Sequence, residues 1–194
     1  TLRVVARGPH LEAMRSDGLR IETAIEDDFV VPVQASNSPD SGGTADLILF
    51  TVKSYDAYGA IDSIRTAVGP QTVILTLLNG VHSGDLLAES FGRDRVLDGI
   101  VYIESHVKAP GIVAQEGGPR KVVFGRRQGN EKRDRSLLAE FQNAGWNVEL
   151  SEEILTPMWQ KLTFIGPFAA FNTVTGLKGE VLCSQEECER LIHS

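Results

Sequence analysis

Apolar runs that alternate with helical segments constrain the fold more than any other feature of the sequence. Residues 46–52 read DLILFTV, and residues 72–78 read TVILTLL. Continuous apolar runs of this length are typical of strands that are buried on both faces of a sheet. A third strand is predicted at residues 96–103, with helices between the strands at residues 57–68 and 82–91. Strand and helix alternating at this pitch indicate parallel βαβ units in an open α/β sheet.

The segments on either side of these units predict shorter elements. Before residue 46, the predicted elements are a strand at 2–6, a helix at 10–17, a hairpin of strands at 19–25 and 29–33, and a loop at 36–44. After residue 103, they are an antiparallel pair at 111–115 and 121–125, a helix at 133–144 and a strand at 146–150. The antiparallel pair is predicted to turn at the Glu-Gly-Gly-Pro stretch, residues 116–119.

One long apolar helix is predicted from residue 151 to about residue 175. Ser151 is placed at its cap, followed by two glutamates in the first turn. Pro157 lies where a helix tolerates proline, whereas Pro167 lies inside the helix and is expected to kink it. The change from mixed strands and helices to a single helix places a domain boundary near residue 150.

Composition and charge exclude several classes of protein. The 194 residues carry a formal net charge of -7 and have a pI of about 5.1, which argues against a nucleic-acid partner, because such binding needs a basic face. No apolar run reaches the roughly 20 residues that a membrane-spanning helix needs. The four histidines have no metal-ligand spacing, so no metal is expected. Cys183 and Cys188 are interpreted as reduced thiols of a cytoplasmic protein.

Polar side chains directly follow three predicted strands. Arg7 follows the first strand, Lys53 follows the run at residues 46–52, and Asn79 follows the run at residues 72–78. Taken singly, each is also typical of a solvated loop or a simple turn. Ligands of open α/β sheets bind at the carboxyl ends of the strands, so three such residues together predict a crevice for an anionic ligand such as a nucleotide phosphate.

Lys161 is one of few polar residues in the long apolar helix. It either extends to solvent along the helix surface or faces a polar cavity. Positions 161, 165, 168 and 172 fall on one helical stripe, so Lys161 and Asn172 are predicted to share a face. Glu104 and Ser105 follow the third strand and are further candidates for lining the crevice.

Five segments, in this order and at fitting separations, resemble the ketopantoate reductase family. They are VVARGPHLEAMRSDGLRIE from residue 4, DLILFTVKSYD from residue 46, LTLLNGV from residue 75, GIVYIESHVKAPGIV from residue 99 and MWQKLTF from residue 158. The resemblance implies a Rossmann-like NADP-binding domain at residues 1–150 and the start of an all-helical substrate domain at residues 151–194. It also implies homodimers formed through the helical domain.

The family's activity is the NADPH-dependent reduction of 2-dehydropantoate to pantoate, a step toward pantothenate and coenzyme A. By resemblance, Lys161 is the general acid, and Asn79 lies near the nicotinamide ribose and the substrate, a 2-oxo acid. Arg7 would meet the 2′-phosphate of NADPH, Lys53 would line the cofactor, and the Ser105 backbone would lie beside it. These roles, and a substrate contact for Asn172, are expectations from the resemblance.

The sequence departs from the family pattern in two ways. The family's first strand, its Gly-x-Gly-x-x-Gly phosphate loop and its later substrate-binding Ser and Glu have no counterpart in residues 1–194. These residues alone are therefore expected to bind NADPH weakly and to be inactive. Family members place asparagines four and eight residues after the lysine, where this chain has Ile165 and Ala169. The alternatives are a reductase of another 2-oxo acid and a non-catalytic nucleotide-binding module.

Overall fold

Within residues 2–176, which the computed structural model describes apart from the side chains of residues 40 and 41, the chain forms nine strands and five α-helices. The strands are β1 (Arg3–Val5), β2 (Leu19–Thr23), β3 (Phe29–Val31), β4 (Gln34–Ser36), β5 (Ala45–Phe50), β6 (Val68–Thr76), β7 (Val96–Ala109), β8 (Ile112–Gly125) and β9 (Asn147–Leu150). The α-helices are α1 (Gly8–Asp17), α2 (Ala57–Ser63), α3 (Ser83–Phe91), α4 (Lys132–Asn143) and α5 (Leu155–Thr175).

Seven of these strands form one mainly parallel sheet. Strands β5, β6 and β7 are parallel neighbours, with α2 and α3 in the connections between them. Strand β8 runs antiparallel to β7 and pairs in parallel with β2 near its start and with β9 near its end. The strand order is β3-β2-β8-β7-β6-β5, with β9 beside β8. The α/β class and the open, mainly parallel sheet predicted from the sequence are confirmed.

Strand β8 corrects one prediction. Residues 111–115 and 121–125 do not pair with each other, because the continuous strand β8 runs through both and pairs with β7 instead. The turn lies at Pro110-Gly111, where Gly111 has a φ of 75° that favours glycine. Strand β7 continues to Ala109, past its predicted end at residue 103, and offers β8 a long row of backbone partners. The glycine-rich stretch is therefore an irregularity in the ladder, where the register shifts near Glu104.

One prediction at the other end of the sheet is also wrong. Strand β5 is not buried on both faces: it is the last strand of the described sheet, and the side chain of Leu49 is 37% exposed. The loop predicted at residues 36–44 agrees with the structure from residue 37 onward, while residue 36 ends β4, which pairs in parallel with β1 as a separate two-stranded sheet. An apolar run reports the propensity to form a strand, whereas the position of that strand in a sheet depends on distant pairing partners.

Helix α5 begins later than predicted. Its N-cap position is Ile154, so Ser151 does not cap the helix. The Ser151 hydroxyl instead accepts a hydrogen bond from the Glu153 N–H (3.1 Å) in the turn before it. The acidic residues consequently lie outside the first helical turn, while Pro157 and Pro167 lie within the helix at the expected places.

The first turns of α5 are held against the sheet by an apolar cluster. Ile154 and Met158, one helical turn apart, are buried together with Val81, Ile100 and Val123. Burial of one such side chain stabilises a fold by about 1.5–3 kcal/mol, so this contact fixes where α5 leaves the sheet. Farther along the helix, Phe164 is exposed. The anchored part of α5 is therefore the part that leads to Lys161.

The predicted domain boundary near residue 150 falls between the end of β9 and the start of α5. The helical domain predicted at residues 151–194 stays a prediction, because residues 177–194 lie outside the described residues. Cys183 and Cys188 also lie outside them, and so does the prediction that they are reduced thiols.

Gly84 offers a test of how closely α3 packs against the sheet. A Cβ atom at Gly84 would lie 1.9 Å from Oδ1 of the fully buried Asp98. We expect Gly84→Ala to lower the free energy of unfolding by about 1–3 kcal/mol or more, because the buried carboxylate would have to move. Urea denaturation would measure the change.

Gly59→Ala is the matched control, since Gly59 also lies in a helix but has open space where a Cβ would be placed. That substitution should be neutral or stabilising by about 0.5–1 kcal/mol. Equal stabilities of the two variants would contradict the close packing of α3 on Asp98.

Candidate active site

The ammonium of Lys161 meets Asn79 at the carboxyl end of β6. Lys161 Nζ donates one hydrogen bond to Asn79 Oδ1 (2.8 Å) and one to the backbone carbonyl of Val101 (2.8 Å). Asn79 is 82 residues away in sequence and Val101 is 60 residues away. The structure thus joins α5, the end of β6 and the middle of β7 at one point.

Each partner is positioned by the fold around it. Asn79 lies three residues after the end of β6, and the next residues lead into α3. Val101 lies in β7, which is parallel to β6 with Thr76 beside Asp98, so its carbonyl is close to the residues that follow β6. The buried first turns of α5 bring Lys161 to this edge, while the Asn79 side chain stays exposed. The result is a cation and an amide that solvent and small molecules can reach.

The surroundings of Lys161 favour proton transfer. Desolvation by burial lowers the pKa of the Lys161 ammonium from its ordinary value of 10.5. The ring of Tyr102 lies 5.5 Å from Nζ, in the range of a cation–π contact. An ammonium whose pKa is lowered releases its proton more readily than that of an exposed lysine. Such a group can serve as a general acid.

Arg7 and Lys53 lie at strand ends, as predicted, and both are exposed. Arg7 is the residue before α1 and Lys53 precedes a short 3-10 turn after β5. Neither takes part in the contacts that join Lys161 to Asn79. Strand β1 belongs to the separate two-stranded sheet, and the crevice shared by the three strand ends stays a prediction.

Ser105 and Asn172 lie outside the hydrogen bonds that join Lys161 to Asn79 and Val101. Ser105 is exposed on the hairpin arm of β7, opposite Gln115. The stripe of Lys161, Ile165, Phe168 and Asn172 is half-buried, as its spacing predicted. However, Asn172 comes eleven positions after Lys161 in the helix, which is about 16 Å along the axis. The Asn172 Oδ1 atom is buried without a hydrogen-bond partner among the described residues.

Two parts of the site escaped sequence reasoning. The Val101 carbonyl gives no side-chain signal, so only the pairing of β7 could reveal it. The second part is a set of charged residues beneath the loop that follows Asn79. It includes Asp98, whose place inside the apolar run VLDGIVYI was a usable signal, because a buried carboxylate needs a partner.

Two kinds of feature are absent from residues 2–176. No helix there combines the length and apolar character that crossing a membrane requires. No group of three or more histidine, cysteine, aspartate or glutamate side chains there is arranged to hold a metal ion.

Parallel strands, connecting helices and a lysine–amide pair at the carboxyl edge define a Rossmann-like α/β protein. The chain belongs to the family described as ketopantoate reductase PanE/ApbA, whose family model matches residues 1–129. It is 29% identical over 206 residues to the 2-dehydropantoate 2-reductase of Mesorhizobium japonicum, covering 94% of this chain and 61% of the relative.

Solved structures agree with this assignment. The crystal structure of 2-dehydropantoate 2-reductase from Geobacter metallireducens is 27% identical, with a TM-score of 0.88, over 97% of this chain and 62% of that one. D-mandelate dehydrogenase, solved with NADH and anilino(oxo)acetate, is 17% identical with a TM-score of 0.83, over 95% of this chain and 59% of that one. At that identity it shows a shared fold. The chain thus spans about three fifths of the length of the proteins it matches.

The lowered pKa of Lys161 can be measured against an internal reference. The hydrogen bond and charge of Glu22 raise the pKa of Lys108 from 10.5. We therefore expect the side chain of Lys161 to titrate at a lower pH than that of Lys108. An NMR titration of isotope-labelled lysine side chains would measure both, with Lys161→Arg used to assign the resonance. A pKa of Lys161 equal to or above that of Lys108 would show that burial does not control the pKa of Lys161.

Proposed function

We propose that the protein to which this chain belongs reduces 2-dehydropantoate to pantoate with NADPH, with Lys161 as the general acid. The observation that carries the proposal is the hydrogen bond from Lys161 Nζ to Asn79 Oδ1. It places a half-buried ammonium at the carboxyl edge of a Rossmann-like sheet, where ligands of this fold bind. The relatives named 2-dehydropantoate 2-reductase support the choice of substrate.

Reduction of a ketone builds negative charge on its oxygen. NADPH, when bound, supplies a hydride to the carbonyl carbon. Lys161 donates a hydrogen bond to the carbonyl oxygen, stabilises the developing charge and transfers a proton from Nζ to that oxygen. The neutral amine then regains a proton from solvent. Asn79 accepts a hydrogen bond from the same ammonium and so holds Nζ at the edge where the substrate is reduced.

The exposed cations fit a phosphorylated dinucleotide. Arg7 follows β1 with its guanidinium exposed, as recognition of the 2′-phosphate of NADPH requires. Lys53 lies after the carboxyl end of β5, as Arg7 lies after that of β1, and would contact the cofactor's phosphates. The Ser105 backbone is the further cofactor contact in this proposal, and Asn172 the further substrate contact. Of the two, Ser105 has the stronger support, because Asn172 lies three helical turns from Lys161.

A reductase of another 2-oxo acid is the second candidate. Ile165 and Ala169, on the helical turns after Lys161, are apolar where the resemblance leads us to expect asparagines. An apolar wall beside the general acid would suit a substrate with fewer hydroxyl groups than 2-dehydropantoate. D-mandelate dehydrogenase, a structural neighbour at 17% identity, was solved with NADH and anilino(oxo)acetate.

A substrate panel distinguishes the two candidates. The full-length protein would be offered 2-dehydropantoate and a set of aliphatic and aromatic 2-oxo acids, with NADPH and NADH compared for each. We expect selective consumption of NADPH with 2-dehydropantoate. Preference for an aryl or alkyl 2-oxo acid would show that 2-dehydropantoate is not the substrate. Preference for NADH would contradict the role proposed for Arg7. No turnover of any acid would overturn the proposed activity.

Lys161→Ala tests the role of the lysine. Loss of a general acid should lower kcat by about 10²–10⁴-fold and leave the Kd of NADPH near its wild-type value. Lys53→Ala is the complementary variant, since it should weaken NADPH binding more than it lowers kcat. Steady-state kinetics and fluorescence titration of the cofactor would measure both. Equal kcat values in wild type and Lys161→Ala would remove Lys161 from the mechanism.

A further inference from the structure

Two carboxylates and two guanidinium groups form a cluster beneath the loop that carries Asn79. We call it the Asp98 cluster, and its members are Asp85, Arg93, Asp98 and Arg127. Asp98 is fully buried and receives hydrogen bonds from Arg93 (3.0 Å) and Arg127 (3.0 Å). Asp85, in the first turn of α3, receives bonds from the same two arginines. The charges balance within the cluster, so the buried carboxylate is fully compensated.

Arg127 differs from Arg93 in what else it binds. Its Nη2 atom donates to the backbone carbonyl of Val81 (2.6 Å), two residues after Asn79. Its Nε and Nη1 atoms reach Asp98 and Asp85 (2.8 Å to the nearer oxygen). One planar group therefore ties the loop after β6 to β7 and to α3. Arg93 instead binds the carbonyl of Gly84, inside α3.

The loop held by Arg127 contains the residue that accepts a hydrogen bond from Lys161, the proposed general acid. Asn79 accepts the hydrogen bond from Lys161 Nζ, and Val81 packs in the apolar cluster that seats the first turns of α5. A shift of the Val81 carbonyl would therefore move the Asn79 side chain relative to Lys161. A displacement of about 1 Å in a catalytic contact lowers rates by about 100-fold.

Arg126 and Arg127 both follow the end of β8, but the contacts of Arg126 do not involve the candidate active site. Arg126 pairs with the fully buried Asp134 (2.6 Å) and binds the carbonyl of Asp94 (2.6 Å). These contacts tie the end of β8 to α4 and to the turn before β7. Arg126 and Arg127 thus make ion pairs of similar kind, but only Arg127 binds the loop that carries Asn79.

We infer that Arg127 is a positioning residue: through the Val81 carbonyl, it sets the place of Asn79 and hence the hydrogen bonding of the Lys161 ammonium. The inference rests on the proposed function for its effect on rate, but its effect on Lys161 is independent of turnover. Lysine in place of Arg127 keeps the charge but cannot span Asp98, Asp85 and the Val81 carbonyl at once.

Removing this constraint should change the titration of Lys161. The Asn79 oxygen accepts from the charged form of the lysine and so favours protonation. If Asn79 moves away, the pKa of Lys161 should fall further below its ordinary value. The charged form, which acts as the acid, is present below this pKa and lost above it. The basic limb of the pH–kcat profile should therefore move to lower pH.

The experiment compares Arg127→Lys with Arg126→Lys in the full-length protein. Both should lose stability, but Arg127→Lys alone should lower kcat by about tenfold or more and lower the pKa of Lys161 by about one unit. The Kd of NADPH should stay near the wild-type value in both. NMR titration of Lys161 and pH–rate profiles are the two measurements.

Asp85→Asn is the second variant and guards against misfolding of the first. Asp85 is half-exposed, and its loss frees one end of Arg127 while Asp98 stays paired. Asp85→Asn should lower the pKa of Lys161 as Arg127→Lys does, but by a smaller amount. An unchanged titration of Lys161 in every folded variant of Arg127 and Asp85, or an equal shift in Arg126→Lys, would overturn the inference. Absent turnover in the wild type would overturn the proposed function alone, because the titration needs no substrate.

Discussion

The buried carboxylate of Asp98 is the constraint on which the arrangement of the site depends. An ion taken out of water costs several kcal/mol unless paired charges and hydrogen bonds replace its solvent. Asp98 therefore holds Arg93 and Arg127 in fixed places, and these arginines hold the first turn of α3 and the loop after Asn79. The absence of a Cβ at Gly84 lets α3 approach this carboxylate. Charge compensation, as well as apolar packing, thus fixes the positions of α3 and of the loop after Asn79 at this edge of the sheet.

Lys161 shows how the same fold holds a cation that stability alone would not favour. Its ammonium is half-buried, and desolvation lowers its pKa. The compensation comes from neutral acceptors, Asn79 Oδ1 and the Val101 carbonyl, rather than from a carboxylate. A carboxylate partner would hold the proton more tightly and weaken the lysine as an acid. The contrast with Asp98, which is fully charge-paired, separates a group that fixes the structure from one suited to proton transfer.

Most of the fold was predictable because it depends on local patterns. The runs at residues 46–52 and 72–78, with helices between them, led to the parallel strands β5, β6 and β7. Errors arose where distant partners decide the outcome. Strand β8 is continuous because β7 lies beside it for most of its length, and Leu49 is partly exposed in β5, the last strand of the described sheet. Neither arrangement can be read from the residues of the strand itself.

The sequence by itself determined the family and the α/β class, and it led to Asn79 and Lys161 as the proposed chemical residues. It did so because strand periodicity, strand-end residues and the MWQKLTF segment are local features of the chain. Only the tertiary structure decided that Lys161 bonds to Asn79 and Val101, and that Arg127 rather than Arg126 reaches the loop. These outcomes depend on how β6, β7 and α5 pack, because a hydrogen bond between residues 82 positions apart exists only once the sheet has brought them together.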